Sequence, residues 1–177
     1  RYSMNWIART FSAAALGLAT TGALVGGLAA GEAQAAAPEL DPRISGTQGL
    51  IGYWKVDLEA STYPKAAPLA AIRSFAYSED GKILVSFATK GADGTLTFGH
   101  WAATPDGTPA IEYHVDANSY PYNVVSWKLV GPGRLELVVA RNGGSYTCIY
   151  QLSEDGETLN YSYGDTNIVY RRWDLMD

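Results

Sequence analysis

Few side chains in this sequence could do chemistry. Two histidines, His100 and His114, one cysteine, Cys148, and 12 tyrosines are the groups able to ligate a metal, attack a carbonyl or move a proton. A metal or haem site needs several nitrogen, sulfur or carboxylate donors converging on one point. If a two-residue turn centred on Asp106-Gly107 joins the strands that carry the histidines, His100 stands opposite Tyr113 and faces away from His114, and neither has further ligands beside it. No metal and no cofactor is therefore expected. Nucleophilic catalysis has no better footing: there is no Gly-x-Ser-x-Gly elbow, Gly143-Gly144-Ser145 reads as a turn entering a strand, and His114, Asp116 and Ser119 make no supported triad. Cys148 falls mid-strand, where a small buried apolar role fits it, and a lone cysteine closes no intrachain disulfide. Glu112 and Glu136 read as outward charges on a wet face.

Aromatic residues are the stronger signal, with 5 Trp and 4 Phe beside the tyrosines. Phe98, Tyr113, Trp127, Tyr146, Tyr150 and Tyr161 fall on expected inner faces. There they would line a cavity for an apolar or flat ligand, their hydroxyls orienting it. Small barrels also fill their interiors with side chains, and the sequence leaves that alternative open.

The elements that must position these residues follow from texture. Phe11 to Ala30 is an uncharged run of small and apolar residues behind Arg1 and Arg9, ending at the small-x-small site Ala33-Gln34-Ala35. This is the pattern of a signal peptide over residues 1–35, cleaved after Ala35. No stable membrane anchor is then expected after cleavage, and the location is extracytoplasmic, periplasmic or secreted. Of 13 basic and 18 acidic residues, Arg1, Arg9 and Glu32 precede the cut, which leaves 11 against 17 and a net charge of −6 over 142 residues. Such an acidic chain without a basic cluster is unsuited to nucleic acid, whose affinity rests on Lys and Arg at phosphates.

After a lead-in over 36–50 with one short helical turn, the chain alternates apolar and polar residues between turn pairs. Asp80-Gly81, Asp93-Gly94, Asp106-Gly107, Asn142-Gly143 and Asp155-Gly156 each supply the positive φ of a tight hairpin. They separate strands expected at 51–59, 70–78, 82–90, 95–103, 109–115, 123–130, 134–141, 145–152, 158–163 and 166–173. In the first strand Trp54, Val56 and Leu58 share one face and Tyr53, Lys55 and Asp57 the other. A meander of this kind has two exposed edges, and closing it removes both. The expected fold is all-β, a single antiparallel up-and-down β-barrel of about 8–10 strands over 51–177. Two long connections, 60–69 and 116–123, could line its mouth.

Gly52-Tyr53-Trp54 at the head of the first strand, after the helical turn, resembles the Gly-x-Trp signature of the lipocalin and fatty-acid-binding (calycin) superfamily. Tyr170-Arg171-Arg172-Trp173 supplies a late-strand basic residue of the kind that packs on that tryptophan. The chain is most similar to short bacterial secreted lipocalin-like domains. The resemblance implies a structural plug in which Gly52 and Trp54 meet Arg172, with Arg171 as the alternative. A guanidinium flat on an indole gains cation–π attraction while its donors reach carbonyls.

The functional expectation is a binding protein for a small hydrophobic or amphipathic molecule in the barrel. One alternative is a filled barrel acting as an envelope or protein-interaction module, with a protein partner met through exposed aromatics such as Tyr53, Tyr120 and Tyr122. The other is a small-barrel enzyme using Tyr or His acid–base chemistry.

Overall fold

The computed structural model describes residues 41–78, 80–115 and 122–175. The expected signal peptide 1–35, the first part of the lead-in, and Asp116, Ser119 and Tyr120 lie outside the described residues. Ten strands follow one another: β1 Gly52–Thr62, β2 Ala70–Tyr77, β3 Ile83–Lys90, β4 Leu96–Ala103, β5 Ala110–Val115, β6 Tyr122–Gly131, β7 Arg134–Arg141, β8 Gly144–Leu152, β9 Thr158–Tyr163 and β10 Thr166–Trp173. Each pairs antiparallel with its chain neighbour, and β1 also pairs with β10, so the sheet closes as an up-and-down barrel.

The turns do what their residues dictate. Gly81, Gly94, Gly107, Gly143 and Gly156 all take φ between 73° and 91°, where an L side chain is strained, and Asn142 joins Gly143 at φ 49°. Inside the barrel the period-2 alternation places Trp54, Phe75, Val85, Trp101, Val125, Trp127, Leu135 and Leu159 in one buried cluster. Trp101 and Trp127 meet edge to face, with centroids 4.5 Å apart at 79°, the arrangement that sets a positive ring edge on a negative face.

Leu58 departs from the expected inner face and is exposed. The β1–β10 register holds from Tyr53↔Trp173 to Asp57↔Val169 and then shifts before Thr62↔Asn167. Such an irregularity breaks the alternation, so parity counted from Trp54 fails beyond Asp57. Ser61 spans the break: its hydroxyl donates to the Asp57 carbonyl (2.6 Å) and accepts from the Val169 N–H (2.9 Å).

One end is stoppered. Single 3₁₀ turns at Pro42–Ile44 and Gln48–Leu50 bury Ile44 and Leu50 against the barrel, and the Trp54 indole N–H donates to the Leu50 carbonyl at 2.8 Å. Arg172 lies over Trp54, 4.4 Å from ring centroid to guanidinium carbon. It donates to the carbonyls of Gly49 (2.6 Å), Ile51 (3.0 Å) and Gly156 (2.9 and 3.0 Å). Gly52 has φ 130°, which L side chains rarely adopt, and a Cβ there would press within 3.0 Å of an Arg172 nitrogen. Arg171 points outward to Asp57 at 3.0 Å.

Arg172→Ala removes the packing on Trp54 and takes the donor from part-buried carbonyls. We expect it to lower stability by about 1–3 kcal/mol, read as a fall in thermal midpoint. An unchanged midpoint would show that the contact carries no stability.

Candidate functional site

Along β2 to β6 the inward residues change character. Toward Trp54 they are apolar; toward the other end they are Arg73 on β2, Thr89 on β3, Thr97 on β4, Glu112 and His114 on β5, and Asn123 on β6. These polar residues line a cavity of about 740 Å³ whose mouth is bordered by Tyr63, Ala66 and Pro68 of the β1–β2 connection. The barrel is thus filled in one half and hollow in the other.

The placement follows from register. Arg73 pairs with Phe87, Phe87 with Gly99, and Gly99 with His114, so these residues form one inward row across four strands. Gly99 is required in that row. A Cβ would stand 2.5 Å from the Tyr113 carbonyl oxygen and 2.7 Å from the Phe87 ring.

Arg73 sits among aromatic rings. Its guanidinium lies 4.7 Å from the Tyr161 centroid, 5.4 Å from those of Phe87 and Tyr150, and 5.8 Å from that of Tyr170, within reach of cation–π attraction. It also donates to the Tyr150 hydroxyl. Its Nε is buried without a protein partner. Part of the side-chain surface remains open because the cavity reaches it. Burial works against its charge, and the oxygens of Tyr150, Tyr170 and Tyr161 outweigh that and hold it protonated. Among the described residues no carboxylate lies within ion-pair distance of it.

On the β5–β6 wall, Glu112, His114 and Asn123 are 8%, 8% and 4% exposed. The Asn123 amide nitrogen donates to Glu112 Oε1 at 2.6 Å and approaches His114 Nδ1 at 3.2 Å. Glu112 Oε1 is itself 3.5 Å from His114 Nδ1. Among the described residues, His114 Nε2 and Asn123 Oδ1 have no protein partner.

The aromatic set expected to line a cavity is divided. Tyr146 and Tyr161 do line it. Tyr150 packs beneath, 4.7 Å from Tyr161, holding Arg73. Trp127 is wholly buried in the filled half. Phe98 and Tyr113 are on the outer face, 48% and 56% exposed. The strand pairing sets His100 opposite Tyr113, and both lie outside because Gly99, Trp101 and His114 take the inward positions. Glu112 is likewise corrected from an outward to an inward charge, placed there by the parity that buries His114. Arg73 and Asn123 were not singled out by sequence. Counting back two from Phe75 and from Val125 finds both.

No protein-family model and no curated protein matches the sequence. Among solved structures, the chain is similar to that titled "Crystal Structure of Rv2717c from M. tuberculosis", at 18% identity and a TM-score of 0.47, over 77% of this chain and 100% of that one. The chain itself forms a closed, ten-stranded antiparallel barrel with a cavity toward one end.

Burial pushes the Tyr150 and Tyr161 phenols up from their ordinary value of 10.0, against the opposing pull of Arg73. The fold therefore prefers their neutral forms. Their contribution to stability is intact below the unfolded value near 10 and is lost as pH rises beyond it. In an alkaline titration we expect a late tyrosinate absorbance phase that coincides with loss of the circular dichroism of the sheet. Tyr150→Phe combined with Tyr161→Phe should remove that phase; a titration complete before the sheet melts would contradict the burial.

Proposed function

We propose that the barrel binds a small amphipathic molecule carrying an anionic group. The observation that carries this reading is Arg73, a charged guanidinium on the wall of a barrel cavity with no carboxylate within ion-pair distance among the described residues, the inward Glu112 standing three strands away. A charge held away from water is costly unless it is paired. A ligand carboxylate would supply the missing partner through charge-assisted hydrogen bonds. Phe87, Tyr161 and Tyr170 give the apolar remainder a surface, and the volume falls within the range of ordinary small-molecule sites.

The reading as a lipocalin-like, calycin-type binding protein is supported by the Gly52, Trp54 and Arg172 arrangement at the closed end. Work outside the cytoplasm is supported by the composition of residues 1–35 and the cleavage pattern at Ala33-Gln34-Ala35. A second reading, a protein contact on the outer wall, is favoured by the apolar cross-strand pairs Phe98↔Val115 and Tyr113↔Tyr122, all exposed.

Calorimetric titration with phenylbutanoate and with phenylbutanol, which differ in charge at one end, tests the first reading. Wild type should prefer the acid by roughly tenfold or more, the worth of a charged hydrogen bond, and Arg73→Met should erase the preference. Equal affinity for acid and alcohol, or acid binding undiminished in a folded Arg73→Met protein, would leave the second reading in its place. For export, expression in a bacterial host should yield a mature chain beginning at Ala36; recovery of an exported chain that keeps residues 1–35 would refute the cleavage.

A further inference from the structure

The cavity has a second polar pole, on the wall three strands from Arg73, and its hydrogen-bonding pattern is fixed by the groups around it. With Glu112 as a carboxylate, Asn123 cannot present its oxygen to it, because two acceptors would then stand 2.6 Å apart. Its amide nitrogen therefore faces Glu112, and the same nitrogen lies 3.2 Å from His114 Nδ1. An amide nitrogen donates and does not accept, so Nδ1 is the acceptor and the neutral ring carries its proton on Nε2. The two atoms of this pair that have no protein partner are then a donor, His114 Nε2–H, and an acceptor, Asn123 Oδ1. Both side chains are more than nine-tenths buried and line the cavity. Water serves such groups when nothing else does, and a ligand that displaces it must restore both bonds or lose affinity.

From this geometry we infer that His114 and Asn123 read an amide edge on the ligand: a carbonyl oxygen that accepts from His114 Nε2–H beside an N–H that donates to Asn123 Oδ1. The inference rests on the ligand-binding reading above and narrows the ligand to one class, a carboxylate or similar anion at one end and a primary or secondary amide at the other. The inward row supplies the middle. Arg73 and His114 are separated by Phe87 and Gly99, three inter-strand steps of about 4.8 Å each. Since Gly99 has no side chain, the Phe87 ring spreads over it toward His114, with its Cζ 2.7 Å from where a Cβ would stand. An apolar spacer, an aromatic ring for instance, would lie between the two poles against Phe87. Glu112 is a positioning residue here: it holds the Asn123 amide, and through it the tautomer of His114.

The test extends the same ligand series, using the full chain and calorimetry. The para-carbamoyl derivative of phenylbutanoate has the amide edge; the para-acetyl derivative keeps the carbonyl and size but lacks the N–H. Wild type should bind the carbamoyl compound roughly tenfold or more tightly than the acetyl compound, because the latter leaves Asn123 Oδ1 buried and unserved. In Asn123→Leu the two should bind alike. If that variant does not fold, His114→Phe, which removes the donor and keeps a ring, must weaken the carbamoyl compound by a larger factor than it changes phenylbutanoate. Equal affinity of carbamoyl and acetyl compounds for wild type overturns the amide edge while phenylbutanoate binding preserves the anion reading. A preference that survives in both variants also overturns it. If neither phenylbutanoate nor its derivatives bind, both readings fall together.

Discussion

Arg172 lies over Trp54 and gives its hydrogen bonds to carbonyls of Gly49, Ile51 and Gly156. One side chain on β10 thereby ties the lead-in, the head of β1 and the β8–β9 turn to a single point. An up-and-down sheet closes only if its first and last strands meet in register, and these three attachments stand beside the Trp54↔Arg172 pair of that seam. The contact also decides which end of the barrel is open. With Trp54, Leu50 and Ile44 packed across one end, access from solvent is left to the end bordered by the β1–β2 connection.

The two halves divide the physical work. The half near Trp54 buries Trp101, Trp127, Phe75 and Leu135 with almost no exposed surface, and burial on that scale, a few kcal/mol for each large side chain, is what holds a domain without a disulfide. The other half runs against stability. It turns a guanidinium, an imidazole, a carboxylate and an amide inward, and leaves an Nε, an Nε2 and an Oδ1 without protein partners. Replacing such groups by apolar ones commonly costs nothing or stabilises. Among the described residues, the indole nitrogens of Trp101 and Trp127 also lack a partner, in the dry half. The guanidinium, imidazole, carboxylate and amide, however, all line one cavity, and that is what favours a ligand over structural accident.

The strand boundaries and closure were legible because they depend on local signals. The Asp-Gly and Asn-Gly pairs need positive φ wherever they occur, and an inward apolar residue recurs at every second position from Val125 to Leu129 and from Leu135 to Val139. The site was legible only in part. Phe98 and Tyr113 were drawn inward by their hydrophobicity, whereas parity from Trp101 puts Gly99 inside and Phe98 out. Glu112 was turned outward by its charge against the parity of its own strand. In each case side-chain character and strand register disagreed, and register prevailed because a strand cannot rotate one residue without turning its neighbours.

That disagreement is itself informative. In a filled barrel, character and parity coincide along every strand, as they do from Val125 to Leu129 and from Leu135 to Val139. They part on β2 at Arg73, on β5 at Glu112 and His114 and on β6 at Asn123, all toward the same end. The irregularity in β1 falls at that end too, where Ser61 replaces the regular ladder after Asp57 and carries the chain to Tyr63 at the mouth. Regular pairing next to Trp54 fixes the seam, so the opposite end of β1 can leave the pattern without opening the barrel. The residues that border the mouth are thus attached to a part of the strand that closure does not need, and the polar poles stand on strands whose other ends are locked in the dry half.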